Sequence, residues 1–279
     1  MHAPVLPVRT GDGHAAELIA RIPDAPRTRL LWLPAMGLAA RHYLPFAEAL
    51  AARGVAVFLH EWRGNGSSNR RASRSCDWGY RELLADIAAS DRAAEAATPA
   101  AARAIGGHSL GGQLAACHLA LHPQAAQVLW LVASGAPYWR TFPQPARGAM
   151  RLAFALLPRV ARRVGWLPGR RLRFAGNEAR GVITDWARSG ATGRYAAAGV
   201  ETDLDAAFAG FTGEVAVATC ARDWMCPPAS AAYLAGKLRN AGQRSRHFGD
   251  AALGARADHF AWMGAPRAIA DWLVDDATR

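Results

Sequence analysis

The stretch that decides the fold is Gly106-Gly107-His108-Ser109-Leu110-Gly111-Gly112, which contains the pattern Gly-x-Ser-x-Gly. It lies between a strand predicted at Ala101 to Ile105 and a helix predicted from about Leu110 to Leu121, which stops before a proline. A serine on such a tight strand-to-helix turn is exposed at the carboxyl edge of a sheet, and the flanking glycines leave room for its strained backbone. The helix that begins here also directs free N–H groups toward any oxyanion on a substrate. The stretch therefore predicts that Ser109 is a nucleophile.

A glycine-rich loop can also cradle a phosphate or form a purely structural turn. No lysine follows these glycines as it does in a nucleotide-binding P-loop, and the Gly-x-Gly-x-x-Gly spacing is absent. The loop also comes after residue 100 instead of at the first strand-to-helix turn. The position between a strand and a helix favours the nucleophile over both alternatives.

The surrounding sequence alternates short apolar runs with helical patterns. Continuous apolar runs are typical of strands that helices cover on both faces. We therefore predict an α/β fold with a mostly parallel central sheet flanked by helices. The predicted strands are 30–33, 55–59, 101–105, 127–133, 215–220 and 244–248, and the predicted helices are 43–52, 110–121, 228–240 and 266–274.

This alternation is lost between Pro137 and about Gly213, a stretch with five prolines and no convincing strand. Pro158 lacks an N–H group and is expected to divide the helical pattern of 152–164 into two short helices. The chain is therefore expected to form a core from residues 1–136 and 213–279, with residues 137–212 inserted as a helical, arginine-rich cap or lid.

The positive charge is concentrated in that insertion. The 279 residues include 33 Lys and Arg against 22 Asp and Glu, a net charge of +11, and residues 140–180 account for +9 of it. We expect either a lid facing an anionic carrier, an interfacial surface on a membrane, or simply a solvated basic face. No nucleic-acid-binding motif is present, so we expect no nucleic-acid partner. The ten arginines are Arg140, Arg147, Arg151, Arg159, Arg162, Arg163, Arg170, Arg171, Arg173 and Arg180, and the one acid is Glu178.

The four cysteines show no Cys-x-x-Cys spacing, which argues against a disulfide framework or a zinc site. We expect no metal and no cofactor. The first residues do not resemble a secretory signal, and no apolar window is long enough to span a membrane. A cytoplasmic location is the expectation.

A serine hydroxyl needs a base that removes its proton and a carboxylate that orients the base. His259 lies in the loop before the last predicted helix, and Asp223 follows the strand at 215–220. Asp250 and Asp258 are alternatives to Asp223. The order serine, aspartate, histidine is that of one known type of catalytic triad.

An oxyanion hole needs two backbone N–H donors. One is expected from Leu110, directly after the serine, and the other from Met36 in Pro34-Ala35-Met36-Gly37, which could also be a simple turn. Only the backbone of Met36 would take part, so its side chain is expected to line the acyl pocket.

With these features, the sequence resembles the α/β-hydrolase superfamily from about residue 28 to 275. Arg63-Gly64-Asn65-Gly66-Ser67-Ser68 is similar to a turn that follows the second central strand in that superfamily. Within it, the chain looks like the hydrolases grouped as serine aminopeptidase-like or lysophospholipase-like. The segments that carry this second likeness are Leu33-Pro34-Ala35-Met36-Gly37, Trp78-Gly79-Tyr80, Leu167-Pro168-Gly169 and Asp185-Trp186.

The sequence thus predicts a serine hydrolase that cleaves a small-molecule carboxylic ester or thioester, as a carboxylesterase, thioesterase or lipase-like enzyme does. Its substrate could be anionic or lipid-like. An acyltransferase or an aminopeptidase-type hydrolase on the same triad is an alternative. A hypothesis from another class is a basic protein that binds membranes or polyanions through an inactive hydrolase fold.

Overall fold

The structure is a computed structural model that describes residues 1–172 and 174–275, and an eight-stranded sheet lies at its centre. The chain forms strands β1 (Val5–Arg9), β2 (Ala15–Arg21), β3 (Thr28–Leu33), β4 (Val55–Leu59), β5 (Ala102–His108), β6 (Val128–Val132), β7 (Trp166–Pro168), β8 (Asn177–Ala179), β9 (Glu214–Cys220) and β10 (Gly242–Phe248). The sheet order is β1-β2-β4-β3-β5-β6-β9-β10. β1 and β2 run antiparallel to their neighbours, and the other strands of this sheet are parallel.

Helices cover both faces of this sheet. They are α1 (Leu44–Ala51), α2 (Tyr80–Ala97), α3 (Leu110–Leu121), α4 (Ala146–Val164), α5 (Gly169–Leu172), α6 (Arg180–Thr192), α7 (Leu204–Ala207), α8 (Pro228–Ala235), α9 (Asp250–Leu253) and α10 (Arg267–Asp275). Among residues 1–172 and 174–275, no helix is both long enough and apolar enough to cross a membrane.

The central strands have both faces buried, as their continuous apolar runs predict. All five residues of β4 and the last five of β3 are buried. Apolar side chains of α2 and α3 pack on one face of the sheet, and those of α1 and α10 pack on the other. The predicted α/β class with a mostly parallel sheet is confirmed.

The first two strands are not predicted by the sequence pattern. β1 lies at the edge of the sheet and contains Pro7, which cannot donate a ladder hydrogen bond. β2 alternates partly exposed residues with the buried Leu18 and Ala20, without a continuous apolar run. β1 pairs with β2, and β2 pairs with β4, so both strands depend on tertiary pairing, for which the local sequence gives only a weak signal.

We call residues 137–212, which lie between β6 and β9, the cap segment. The expectation that Pro158 divides its first helix is wrong, because α4 runs unbroken from Ala146 to Val164. Pro158 is buried within α4, and the Phe154 ring packs 4.8 Å from that of Trp186 on α6. Packing along α6 outweighs the roughly 3 kcal/mol that proline costs inside a helix.

The expectation that the cap segment lacks strands is also wrong. β7 and β8 form a short antiparallel pair, with Leu167 fully buried against the neighbouring helices. This pair brings Gly176 against Gly37, so closely that a side chain at Gly37 would overlap the Gly176 backbone. Strands of three residues are too short to show a periodic pattern in the sequence, so their formation depends on tertiary contacts such as this one.

Candidate active site

Ser109 lies on the turn between β5 and α3 with φ +54° and ψ −120°, a conformation that residues with side chains rarely adopt. The neighbouring glycines make the turn possible. A Cβ atom at Gly107 would overlap the Gly111 backbone, and one at Gly111 would overlap the carbonyl of Leu33. The predicted serine turn is therefore present, with the strain that often marks a functional position.

The backbone carbonyl of Ser109 accepts a hydrogen bond from a residue at the end of the adjacent strand β6. Ser134, just after β6, donates its hydroxyl hydrogen to the Ser109 carbonyl oxygen over 2.7 Å. A side chain at Gly112 would overlap Ser134. Sequence reasoning missed Ser134, although its place after a predicted strand is a signal that could have suggested it.

His259 and Asp223 come together from two different loops. Nδ1 of His259 lies 2.8 Å from Oδ2 of Asp223, and both side chains are buried. Oδ1 of Asp223 accepts the backbone N–H groups of Met225 and Cys226, each over 2.9 Å. A carboxylate can only accept, so the hydrogen of this pair is on Nδ1 and the lone pair of His259 is on Nε2.

The two alternative aspartates are engaged elsewhere. Asp250 pairs with Arg222 over 2.8 Å and accepts the N–H of Ala257. Asp258 accepts the backbone N–H groups of the two residues after His259. Of the three aspartates that the sequence proposed, Asp223 is the one whose carboxylate contacts His259.

Nε2 of His259 is buried and has no hydrogen-bond partner within the described part of the chain. His259 and Ser109 line the same cavity. A serine hydroxyl and an unpartnered basic nitrogen that share one cavity are the two groups that proton removal from the serine requires.

Leu110 and Met36 also line this cavity. In residues 1–172 and 174–275, the backbone N–H of neither residue donates to a protein acceptor. Gly37 supports the turn after Met36 with φ +78°, and the N–H of Leu38 closes it on the carbonyl of Ala35 over 3.1 Å. Two free N–H groups thus lie along the cavity that contains the Ser109 side chain.

His108 is fully buried directly before Ser109, and its Nδ1 pairs with the Tyr43 hydroxyl over 2.8 Å. Burial, with added repulsion from His259, holds the pKa of His108 well below its ordinary value. His108 is therefore neutral near pH 7. It packs against its surroundings, with its ring edge-on to Trp262.

The cavity has a volume of about 80 Å³ and mainly apolar walls. Trp224 and Phe260 lie at its rim and are 61% and 47% exposed. The three described non-glycine residues with positive φ, Ser109, Ala133 and Ala175, all line it. The cap segment supplies walls through Phe142, Met150, Phe174 and Trp186.

Within the described residues, no group of three or more His, Cys, Asp or Glu side chains is arranged to hold a metal ion. The cysteines are free, and three of them are buried.

Comparison with known proteins shows which family and which fold the chain matches. The profile of the family described as serine aminopeptidase, S33, matches residues 24–186, more than half of the chain. Among curated proteins, no sequence matches the chain.

Solved structures with the same fold cover nearly the whole chain. A thermophilic esterase from Thermogutta terrifontis has a TM-score of 0.67 at 14% identity, covering 100% of this chain and 98% of its own. An esterase domain from a Rhodothermus marinus protein has a TM-score of 0.61 at 14% identity and 99% coverage of both chains. The thioesterase domain from the curacin biosynthetic pathway has a TM-score of 0.62 at 15% identity, covering 99% of this chain and 100% of its own.

Proposed function

The chain belongs to the serine aminopeptidase S33 family of α/β hydrolases, and from this premise we propose that it cleaves carboxylic esters or thioesters through an acyl-enzyme on Ser109. One observation carries the proposal. The buried His259–Asp223 pair presents an unpartnered Nε2 to the cavity that contains the strained Ser109.

In the proposed reaction, the Ser109 oxygen attacks the substrate carbonyl carbon while its proton passes to Nε2 of His259. Asp223 orients the imidazole and stabilises its positive charge. The N–H groups of Leu110 and Met36 bind the oxyanion, and removing one such donor typically lowers turnover about 10²–10³-fold. The tetrahedral intermediate then expels the alcohol or thiol, which takes the proton from His259. Water repeats the same steps on the acyl-enzyme and releases the carboxylic acid.

Esters and thioesters suit this cavity better than peptides with a free amino terminus. A protonated amine needs a carboxylate or several acceptors, and no Asp or Glu is among the described residues that line the cavity. An apolar acyl chain fits its walls without uncompensated charge.

The test is labelling with a fluorophosphonate, combined with hydrolysis of p-nitrophenyl acyl esters. Wild-type protein should be labelled at Ser109, and Ser109→Ala should lose labelling and about 10⁴-fold or more of the turnover. Ser75→Ala, at an exposed serine in a loop, is the matched control and should behave as wild type. Full hydrolysis by Ser109→Ala would exclude this mechanism.

We propose that residues 137–212 act as a cap and that its outer surface binds anionic lipid. Leu152 and Leu156 are 59% and 46% exposed on one face of α4, and Arg159 and Arg163 continue that face. The only acid between residues 140 and 180, Glu178, is buried. Other exposed residues of the segment include Arg140, Arg151, Arg162, Arg170, Arg171 and Leu172; Arg173 lies outside the described residues.

Exposed leucines among arginines favour a lipid surface, because the leucines enter the apolar boundary while each arginine near anionic headgroups contributes about 1 kcal/mol. Binding to anionic lipid is tested by flotation with phosphatidylcholine vesicles, with and without phosphatidylglycerol, at low and high salt. Binding should require the anionic lipid and weaken with salt and with Leu152→Ser/Leu156→Ser. The control Val5→Ser changes an equally exposed side chain on β1 and should bind as wild type. Binding only to an acidic acyl carrier protein would overturn the lipid proposal.

A further inference from the structure

Gln113 is a polar residue of the cavity for which the proposed mechanism has no role. It lies on α3 one turn after Ser109, and its backbone N–H donates to the Ser109 carbonyl over 3.3 Å. Its side chain is 4% exposed and lines the cavity. Oε1 has no hydrogen-bond partner within the described part of the chain.

A buried acceptor without a partner is unfavourable, so its presence beside a candidate nucleophile calls for an explanation. Apart from Ser109 and His259, the described side chains lining the cavity are apolar, aromatic or sulfur-containing, with Gln113 as the exception. A leucine in its place would fit these walls without the unpaired group. An apolar pocket with one well-placed polar group is typical of a site that selects a polar feature of its ligand.

We propose that Gln113 is a specificity-determining residue that hydrogen-bonds a hydroxyl group on the acyl chain. The inference rests on the proposed function, because it assumes that the acyl group of the substrate occupies this cavity. A hydroxyl both donates and accepts, so it can pair with either end of the carboxamide, whichever way the amide is turned. The preferred substrates are therefore hydroxyacyl esters or thioesters.

The position of Gln113 limits where that hydroxyl can be. Four residues along a helix correspond to a rise of about 6 Å, so the carboxamide lies close to the carbon that Ser109 attacks. The hydroxyl is therefore within a few bonds of the reacting carbonyl, as in a 3-hydroxyacyl group. A substituent at the far end of a long acyl chain would lie beyond its reach.

The experiment compares kcat/KM for p-nitrophenyl butyrate with that for both enantiomers of p-nitrophenyl 3-hydroxybutyrate. Wild-type protein should prefer one hydroxylated enantiomer over butyrate at least about tenfold, since a site built to pair a hydroxyl rejects the analogue that lacks it. In Gln113→Leu this ratio should fall to about one. Met150→Leu changes another wall of the cavity without changing its polarity, and the ratio should stay as in wild type.

Thermal unfolding gives a second measurement, the change in Tm, whose sign distinguishes a specificity role of Gln113 from a purely structural role. Gln113→Leu should raise the Tm of the free protein, because it removes an unpaired buried acceptor. A residue that only supported the fold would lower the Tm when replaced.

The outcomes separate the two proposals. If wild-type protein hydrolyses butyrate without preferring either hydroxylated ester, the assignment of Gln113 is wrong and the serine hydrolase proposal stands. If Gln113→Leu keeps the wild-type ratio, the assignment is again wrong. If neither ester is hydrolysed and a fluorophosphonate fails to label Ser109, the proposed function itself fails.

Discussion

The hydroxyl oxygen of Tyr43 lies 2.8 Å from Nδ1 of His108, the residue directly before Ser109. The same hydroxyl accepts the backbone N–H of Ala35 over 2.9 Å. Tyr43 is fully buried, and burial raises the pKa of its hydroxyl, which therefore stays protonated. It thus links the loop with the candidate oxyanion donor Met36 to the turn with the candidate nucleophile.

Tyr43→Phe should loosen this link. We expect turnover of p-nitrophenyl esters to fall about tenfold, because displacement of a catalytic group by a fraction of an ångström lowers rates strongly. The free energy of unfolding should fall by about 2 kcal/mol, since two buried groups lose their partner.

Tyr80→Phe is the matched control for Tyr43→Phe. Its buried hydroxyl has no hydrogen-bond partner in the described residues, so its removal should leave turnover within about twofold and should not destabilise the fold. Equal effects of the two substitutions in kinetics and chemical denaturation would contradict the role given to Tyr43.

A second prediction concerns the choice of carboxylate. Asp223→Asn should lower kcat about 10⁴-fold with little change in KM, because an amide in contact with Nδ1 no longer holds His259 in the required tautomer. Asp250→Asn, in the exposed pair with Arg222, should change kcat less than about threefold, since exposed ion pairs contribute little. Steady-state kinetics on one p-nitrophenyl ester measures kcat for both variants. A greater loss of kcat in Asp250→Asn than in Asp223→Asn would assign the orienting role to Asp250 instead.

The local sequence was sufficient for the parts of this fold that follow from short-range patterns. The apolar runs predicted the parallel strands, and the glycines around Ser109 predicted the strained turn between β5 and α3. The sequence did not decide between Asp223, Asp250 and Asp258, because all three occur in the loops that follow the last two predicted strands of the sheet. Only the geometry of their loops shows that Asp223 contacts His259.

Other features depend on contacts between distant segments, which no local pattern encodes. Tyr43 and Ser134 support the site through hydrogen bonds to residues 65 and 25 positions away. The continuous course of α4 through Pro158 depends on packing against α6. The strand β7 forms because it pairs with β8. Arg63 likewise forms buried hydrogen bonds to Asp86.

A third prediction addresses the glycine beside the serine turn. Gly111→Ala places a Cβ atom into the Leu33 carbonyl, so the backbone of β3 or α3 must shift. We expect a loss of about 3–5 kcal/mol, which lowers the Tm by on the order of 10 °C in a domain of this size. At Gly264 no atom lies within 4 Å of an added Cβ, so Gly264→Ala should change the Tm by less than about 2 °C. Similar Tm values for the two variants in calorimetry would show that the close approach at Gly111 can relax.

The last prediction concerns Glu178, the one acid of the arginine-rich segment. Burial raises its pKa from 4.5 to about 7, although the N–H of Gly176 and the nearby Arg170 favour the charged form. Its Oε1 lies 3.2 Å from that N–H, and Gly176 contacts Gly37 beside the candidate oxyanion donor. Glu178 therefore lies where the cap segment meets this loop, and its ionisation places a charge in a buried position.

The folded state holds the proton of Glu178 up to a higher pH than the unfolded state does. Its contribution to stability is thus complete below about pH 4.5 and is lost as the pH rises through about 7. Glu178→Gln stays neutral and can still accept the N–H of Gly176, so at pH 8 it should be more stable than wild type, by on the order of 3 kcal/mol at most. At pH 4.5 the two proteins should be nearly equal. Urea denaturation between pH 4.5 and 8 measures the difference, and parallel stability curves would show that Glu178 ionises without penalty in the fold.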